Sequence, residues 1–575
     1  NAEAYNAIRK MSGVADVYYT EYYDVPKVAV ENNANVYTTG IYNTEGIDYH
    51  GGGMVVAVLD TGLDATHEAF QNMPKDGGRL KKTDIENAVN AVDNNGRRKL
   101  LAEGTADDFY YNEKVPFAYD YADDDPNVYP AYSSHGTHVA GIVAGKSDYV
   151  VNEETGETFV GVAPEAQLVI CKVFTDNLDS EVLGGANTMG ILAALNDCAV
   201  LGVDVINMSL GSSAGFSEER GDSAQTQFLN RVYGAIEDMG ISLVVAASND
   251  YSSGFGGGNG TNLASNPDSG TVGSPSTYSS ALSVASINGR KSSYILGNNT
   301  ENQVAFITNS SNEFGQEFNF IDQLYAIASE MRGTPVAKGQ PLKFKYVSIE
   351  GFGRPNEYTA NIRRQLDKEL AKKEGYDGVI ALVKRGETTF AEKVQVAMGA
   401  GAQACIIYNN VAGTIRMSLG DVEDPIPTCS ISMDAGKVLA QHVINSGKSF
   451  GVINVNSDYL AGPFMSEFSS WGPTPDLQLK LEITAHGGEI ISAVAGGYDK
   501  LSGTSMAAPN MAGAISLLRQ YLKAEYPGLS GKELNALVNQ RLMSTATIAK
   551  NEDNNPYSPR KQGAGLAGIA DAINA

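Results

Sequence analysis

At 575 residues the chain is longer than one hydrophobic core organises, so two or three domains are expected. Hydrophobic residues make up 42% and charged residues 19%, an ordinary globular balance, and no apolar run approaches the ~18–20 residues that cross a bilayer. The 67 acidic against 42 basic residues leave a net charge of −25, which sets the surface against nucleic acid and anionic membranes and argues against both as partners.

Residues 1–26 read as a small helix, Ala4 to Ile8, and a strand, Gly13 to Tyr19, closing at Val25-Pro26 before the polar stretch Glu31 to Asn35. That is too little for a domain and reads as the tail end of one. From Met54 the pattern changes. Met54 to Leu59 is an apolar strand ending at Asp60-Thr61-Gly62; Gln167 to Phe174 is a second, Val203 to Ser209 a third and Ser242 to Ala247 a fourth. Helical stretches, roughly Thr188 to Leu201 and Gln227 to Met239, fall between them. Strands joined by helical crossovers predict a parallel sheet covered on both faces, an α/β fold whose sites gather at the carboxyl ends of the strands. Three polar residues stand just past such ends: Asp60, Ser209 and Asn249. Residues 251–275 are rich in Gly, Ser and Asn and read as a surface loop. Across residues 306–455 the strands shorten and charge rises, with Asp377 to Val383 and Gln403 to Tyr408 as strands around a helix from Thr389 to Gly399. This is a second domain inserted into the first, because a further helix, with Met511, Ile515, Leu518 and Leu522 at helical spacing, comes after it.

Cys171, Cys198, Cys405 and Cys429 make neither a metal spacing nor a disulfide framework, and the apolar settings of the first two predict buried free thiols. Asp123-Asp124-Asp125 is open to two readings, a calcium loop and a solvated loop, and the second is preferred. Among the histidines, His135 and His138 lie three apart on one helix face, a spacing zinc uses, but no third ligand stands at a readable distance. His486 reads as a loop histidine.

The chemistry centres on Gly503-Thr504-Ser505-Met506-Ala507-Ala508-Pro509. Small residues crowd a serine at the start of a helix, where unpaired N–H groups and the positive end of the dipole favour an oxyanion. Pro509 is placed in the first turn, where a missing N–H costs little. Alone, the stretch is as well read as a glycine-rich turn capped by serine. With Asp60-Thr61-Gly62 and His135-Gly136-Thr137-His138 upstream it completes what nucleophilic acyl transfer needs: a serine, an imidazole that takes its proton and a carboxylate that fixes the imidazole's tautomer. Ser505 is then the nucleophile, His135 the base and Asp60 its orienting partner, with His138 packed behind. Asp60 as a plain turn cap, and Asp64 as a competing carboxylate, are the alternatives.

The order Asp, His, Ser resembles that of the subtilisin-type serine proteases, and the match extends to Val58-Leu59-Asp60-Thr61-Gly62, His135-Gly136-Thr137-His138-Val139-Ala140-Gly141 and Gly503 to Pro509. The insert resembles a protease-associated (PA) domain through Gly378 to Gly386 and Ala400 to Asn410, an arrangement similar to the cell-envelope proteases of Gram-positive bacteria. The resemblance implies a subtilisin-like parallel sheet between helices with a smaller β-rich insert. It implies a remnant of an inhibitory prosegment at 1–28, a catalytic domain at 29–305 and 456–575, and the PA domain at 306–455. Asn249 would then donate to the oxyanion, while Ser209, Leu210 and Gly211 on one side and Ala247 and Ser248 on the other would hold substrate. Ser248 stands where the family usually has glycine. Leu481 and His486 stand where it usually has proline, which implies a local loop change. The function implied is a secreted or wall-attached endopeptidase, monomeric, acting on proteins or peptides without a required cofactor, structural calcium staying open. A binding protein on the same scaffold, and a zymogen held by residues 1–26, are the rival readings.

Overall fold

The computed structural model describes residues 47–152, 156–176, 185–212, 224–251, 270–297, 307–312, 317–337, 340–410, 415–474, 477–551 and 555–575, positions 76, 290, 416 and 421 aside, with a few short pieces before residue 47. Most of the expected 1–26 elements and of the 251–275 loop lie outside the described residues.

Parallel strands form the first sheet: β1 (Val55–Asp60), β2 (Phe117–Asp120), β3 (Gln167–Lys172), β4 (Val205–Met208), β5 (Ser242–Ala246), β6 (Ala281–Ile287) and β7 (Ile483–His486), in the spatial order β7-β6-β5-β4-β1-β3-β2. Helices α1 (His135–Ala144) and α4 (Thr504–Glu525) cover one face, and α2 (Thr188–Leu201) and α3 (Ala224–Asp238) the other. β1 explains why its sequence reads as an unbroken apolar run. Val56 and Val58 enter the core under α1 and α4, while Val55, Ala57 and Leu59 enter the core under α2 and α3. Met511, Ile515, Leu518 and Leu522 bury the apolar face of α4 in the first of these cores.

β2, β6 and β7 were not legible in the sequence. β2 has only four residues, and β6 and β7 interleave serines, a threonine and a histidine with their apolar residues. Those polar groups are buried because they find partners: the Ser286 and Ser466 hydroxyls meet at 2.8 Å, and Thr484 Oγ1 donates to Gln562 O at 2.8 Å.

A second sheet carries residues 291–297, 451–461, 342–348, 379–384, 404–408, 428–431, 308–311 and 317–318 in that order. Four of its central strands, 342–348 to 428–431, are parallel, and helices Phe320–Arg332, Phe390–Gly399 and Met433–Ser446 flank them. The outer ribbon of 291–297 against 451–461 reaches beyond the 306–455 span of the expected insert. It is rooted beside β6, where Asn288 N–H donates to Phe464 O at 2.8 Å and Ser466 N–H to Ser286 O at 3.0 Å. Two early pieces also pair: Tyr37–Thr38 runs parallel to Ile490–Val494, and Tyr22–Tyr23 antiparallel to Ala186–Asn187. Among the described residues no helix is long and apolar enough to cross a membrane.

Candidate active site

Asp60 is the last residue of β1 and His135 the first of α1. The turn that follows Asp60 is clasped to the helix. Thr61 Oγ1 accepts from Gly136 N–H at 2.8 Å and donates to Ser133 O at 2.7 Å, while Asp64 N–H donates to Thr137 Oγ1 at 2.9 Å. A Cβ on Gly136 would fall 2.3 Å from Gly62 O, so glycine is needed for this approach. The outcome is a 2.7 Å contact between His135 Nδ1 and Asp60 Oδ1, with the two side chains 2% and 1% exposed. Nδ1–H donates to the carboxylate, so Nε2 carries the lone pair, and this buried atom has no hydrogen-bond partner among the described residues.

Ser505 is the second residue of α4, where the backbone N–H has no intrahelical acceptor. Its hydroxyl donates to Ser209 O at 3.3 Å, so a turn of the side chain is needed to reach His135, as is common in unliganded sites. Ser209 Oγ in turn donates to Ser505 O at 2.8 Å and accepts from Asn207 Nδ2 at 3.0 Å. Pro509 corrects an expectation: it lies in the second turn of α4, four residues past Ser505, and not in the first. Without an N–H it leaves the Ser505 carbonyl open, and Ser209 fills that vacancy.

Asn249 follows β5. Its Oδ1 accepts from both the N–H (2.9 Å) and the hydroxyl (3.0 Å) of Thr504, which turns its Nδ2 toward the start of α4. A Cβ built on Gly503 would lie 3.3 Å from Asn249 Nδ2 and 3.5 Å from Ser505 N, so both donors border one spot that a glycine keeps clear.

A serine, an imidazole oriented by a buried carboxylate and two donors beside the serine now stand together at the carboxyl end of one sheet. The subtilase-family model matches residues 51–351 and the PA-domain model residues 352–439. The chain belongs to the subtilase family. It is 31% identical over 592 residues to the PII-type proteinase of Lactococcus lactis subsp. cremoris, covering 99% of this chain and 28% of that one. It is 32% identical over 525 residues to the C5a peptidase of Streptococcus pyogenes serotype M3 (strain ATCC BAA-595 / MGAS315), covering 90% and 39%. This subtilase therefore spans well under half the length of these relatives. The crystal structure of the psychrophilic subtilisin-like protease Apa1 from the Antarctic psychrotroph Pseudoalteromonas sp. AS-11 superposes with a TM-score of 0.37 at 18% identity over 91% of this chain and 93% of that one, too loosely to argue from.

The residues expected to hold substrate in this subtilase divide in two. Ser209, Leu210 and Ala247 are buried, so they offer backbone alone, whereas Gly211 and Ser248 are partly exposed. Ser248 has φ +86°, a left-handed conformation that costs a side-chain-bearing residue on the order of 1 kcal/mol.

Other candidates take different roles. His138 Nε2 lies 3.1 Å from both Ile490 O and Asp499 O, so its N–H serves the 490–501 hairpin and not a metal shared with His135. Burial pushes its pKa down to about 3. Asp64 braces its own turn, accepting from Thr66 N–H at 3.1 Å and the Thr66 hydroxyl at 2.6 Å, and the short helix that follows is capped by His67. His486, expected in a loop, is the last residue of β7 and pairs with Ile287 of β6. In the acidic stretch, Lys172 Nζ lies 2.5 Å from Asp120, 3.4 Å from Asp123 and 3.5 Å from Asp176, and Thr175 Oγ1 donates to Asp123. Of the stretch Asp123-Asp124-Asp125, Asp123 is the member beside this ammonium, while Asp124 Oδ1 accepts from the Tyr119 hydroxyl at 2.6 Å and Asp125 Oδ1 from Asn127 N–H at 2.7 Å. The four cysteines are buried free thiols, with Cys171 and Cys198 Sγ 3.8 Å apart. Sequence reasoning missed the roles of Thr61, which clasps Gly136, of Thr504, which holds Asn249, and of Asn207, which bonds Ser209; the signal was that Thr61 and Thr504 adjoin Asp60 and Ser505 and that Asn207 lies two residues before Ser209.

Proposed function

We propose that this subtilase is a serine endopeptidase that hydrolyses peptide bonds through an acyl-enzyme, with Asp60, His135 and Ser505 as its triad. The observation that supports this best is the buried 2.7 Å contact between Asp60 and His135, which leaves Nε2 as the imidazole's basic atom. Ser505 Oγ adds to the scissile carbonyl as Nε2 takes its proton, and Asp60 stabilises the imidazolium. The carbonyl oxygen, now negative, receives hydrogen bonds from Ser505 N–H and Asn249 Nδ2. Collapse expels the amine with the proton from His135 and leaves an ester on Ser505. Water, deprotonated by the same imidazole, then releases the acid. These steps call for no cofactor; structural calcium is a separate matter of stability.

We read the substrates as extended protein or peptide chains. The edge at Ala186–Asn187, which pairs with the chain's own Tyr22–Tyr23, favours an extended segment adding as a strand. We assign residues 1–28 to a prosegment remnant that is trimmed, 29–305 and 456–575 to the catalytic domain, and 306–455 to a PA domain that gates or selects protein substrates. The relatives named as proteinases and peptidases, together with the acidic surface, favour a monomer that works outside the cell, free or attached to the wall, without nucleic-acid or membrane partners.

The test is a fluorophosphonate probe on the parent and on Ser505→Ala, read by intact mass. A single adduct on the parent alone is the expected result. No adduct on folded parent overturns the reading in favour of a binding protein.

A further inference from the structure

Two segments leave Ser505 like the prongs of a fork. Ser209–Gly211 runs on from β4 and is bonded at Ser209 to the nucleophile in both directions. Ala247–Asn249 runs on from β5 and is bonded at Asn249 to Thr504. Gly273 and Ser274 close the base, Gly273 N–H donating to Ala247 O at 3.2 Å and Ser212 N–H to Ser274 O at 2.9 Å. A carbonyl with its carbon at Ser505 Oγ and its oxygen beside Asn249 sends its acyl-side side chain between the prongs.

Ser248 stands in that gap. Its hydroxyl lies 3.2 Å from where a Cβ on Gly211 would stand and 2.2 Å from where one on Gly273 would stand. The two facing positions are glycine, Ser209, Leu210 and Ala247 are buried, and the Asn249 amide is held at Thr504, so the hydroxymethyl group of Ser248 takes up the room that the glycines leave. A residue that also accepts a left-handed backbone at this spot keeps its side chain aimed there by the backbone itself.

We propose that Ser248 sets the size limit for the residue on the acyl side of the scissile bond, so that this subtilase cleaves after small residues such as Gly, Ala and Ser in preference to large aliphatic or aromatic ones. The proposal rests on the serine-endopeptidase reading above. Ser248→Gly removes the obstruction and relaxes the backbone, so the variant is expected to fold; Ser248→Ala keeps the Cβ and removes only the hydroxyl.

The experiment measures kcat/KM on peptide p-nitroanilides that differ only in the acyl-side residue: Ala, Val, Leu or Phe. The parent should favour Ala over Phe by at least about tenfold, and Ser248→Gly should move the Phe/Ala ratio toward Phe by roughly 10–100-fold, the range that one pocket group controls. Ser248→Ala should move it less, in the same direction. A parent that favours Phe, or a ratio in Ser248→Gly within about twofold of the parent's, overturns the size limit while leaving the peptidase reading intact. A folded parent that cleaves none of the peptides and takes no fluorophosphonate overturns both.

Discussion

The Ser209 hydroxyl gives the Ser505 carbonyl, at 2.8 Å, the hydrogen bond that an ordinary helix would draw from the residue at 509. Ser505 is thereby fixed to the end of β4 as well as to its own helix. Ser209→Ala strands a buried carbonyl and should cost about 1–3 kcal/mol in stability, with a fall in kcat as Ser505 loosens. Pro509→Ala restores a backbone donor. In the double variant the loss from Ser209→Ala should shrink by about 1 kcal/mol, read by denaturant unfolding as a double-mutant cycle. Strict additivity would show that the two residues do not share the carbonyl.

Asn249→Ala removes a donor beside Ser505. In subtilisin, a relative, loss of such a donor lowers kcat about 10²–10³-fold, and the same order is expected here with KM little changed. Because Asn249 Oδ1 also takes two hydrogen bonds from Thr504, thermal stability should drop with it. A variant with lowered stability and unaltered kcat would reduce Asn249 to a cap.

His138 makes stability depend on pH. Its folded pKa of about 3 lies below the ordinary 6.5, so the unfolded chain binds more protons between those values. Its contribution is therefore fully present above pH 6.5 and is lost as pH falls toward 3. Unfolding free energies from urea titrations between pH 7 and pH 4 should fall by up to about 1.4 kcal/mol per pH unit on this account. His138→Gln, which keeps a donor for Ile490 and Asp499, should flatten that slope; an equal slope in the variant would assign it to other groups.

Lys172→Ala leaves Asp120, Asp123 and Asp176 facing one another without their shared cation. Breaking such a buried pair should cost about 3–5 kcal/mol. Millimolar calcium should recover part of the lost melting temperature in the variant and shift the parent less. Equal calcium shifts in both would mean that the ion acts elsewhere.

Deleting the insert while keeping its rooted ribbon, by a short turn from Gly297 to its register partner Asn454, should leave cleavage of a short peptide close to the parent's and change cleavage of folded proteins. Equal losses on both substrates would make the insert part of the catalytic scaffold.

The three motifs around Asp60, His135 and Ser505 were legible because acyl transfer constrains residue types at short spacing, and β1, β3, β4 and β5 because strands buried on both faces read as apolar runs. What stayed hidden depends on contacts between distant segments. Nothing near Lys172 in sequence announces that Asp120 lies against it, because the pairing of β2 with β3 creates that neighbourhood. Pro509 was placed one turn early because a helix start cannot be fixed to the residue from composition. The left-handed backbone of Ser248 is imposed by surrounding structure and contradicts its own preference, so propensity could not reveal it.

The chain leaves the first sheet after β6 and returns through the stretch that holds the oxyanion segment: Ser470 N–H donates to Ser248 O at 3.0 Å, Tyr251 N–H to Phe468 O at 2.9 Å and Asp250 N–H to Ser470 Oγ at 3.0 Å. Ser505 follows later still, 296 residues beyond the Ser209 it bonds. On a ribosome, Asp60 and His135 emerge early, but they have neither a nucleophile nor a braced oxyanion segment until the insert has been made and passed. With the triad proposed above, a chain that stops short of Ser505 would be inert toward itself and toward the cell that makes it.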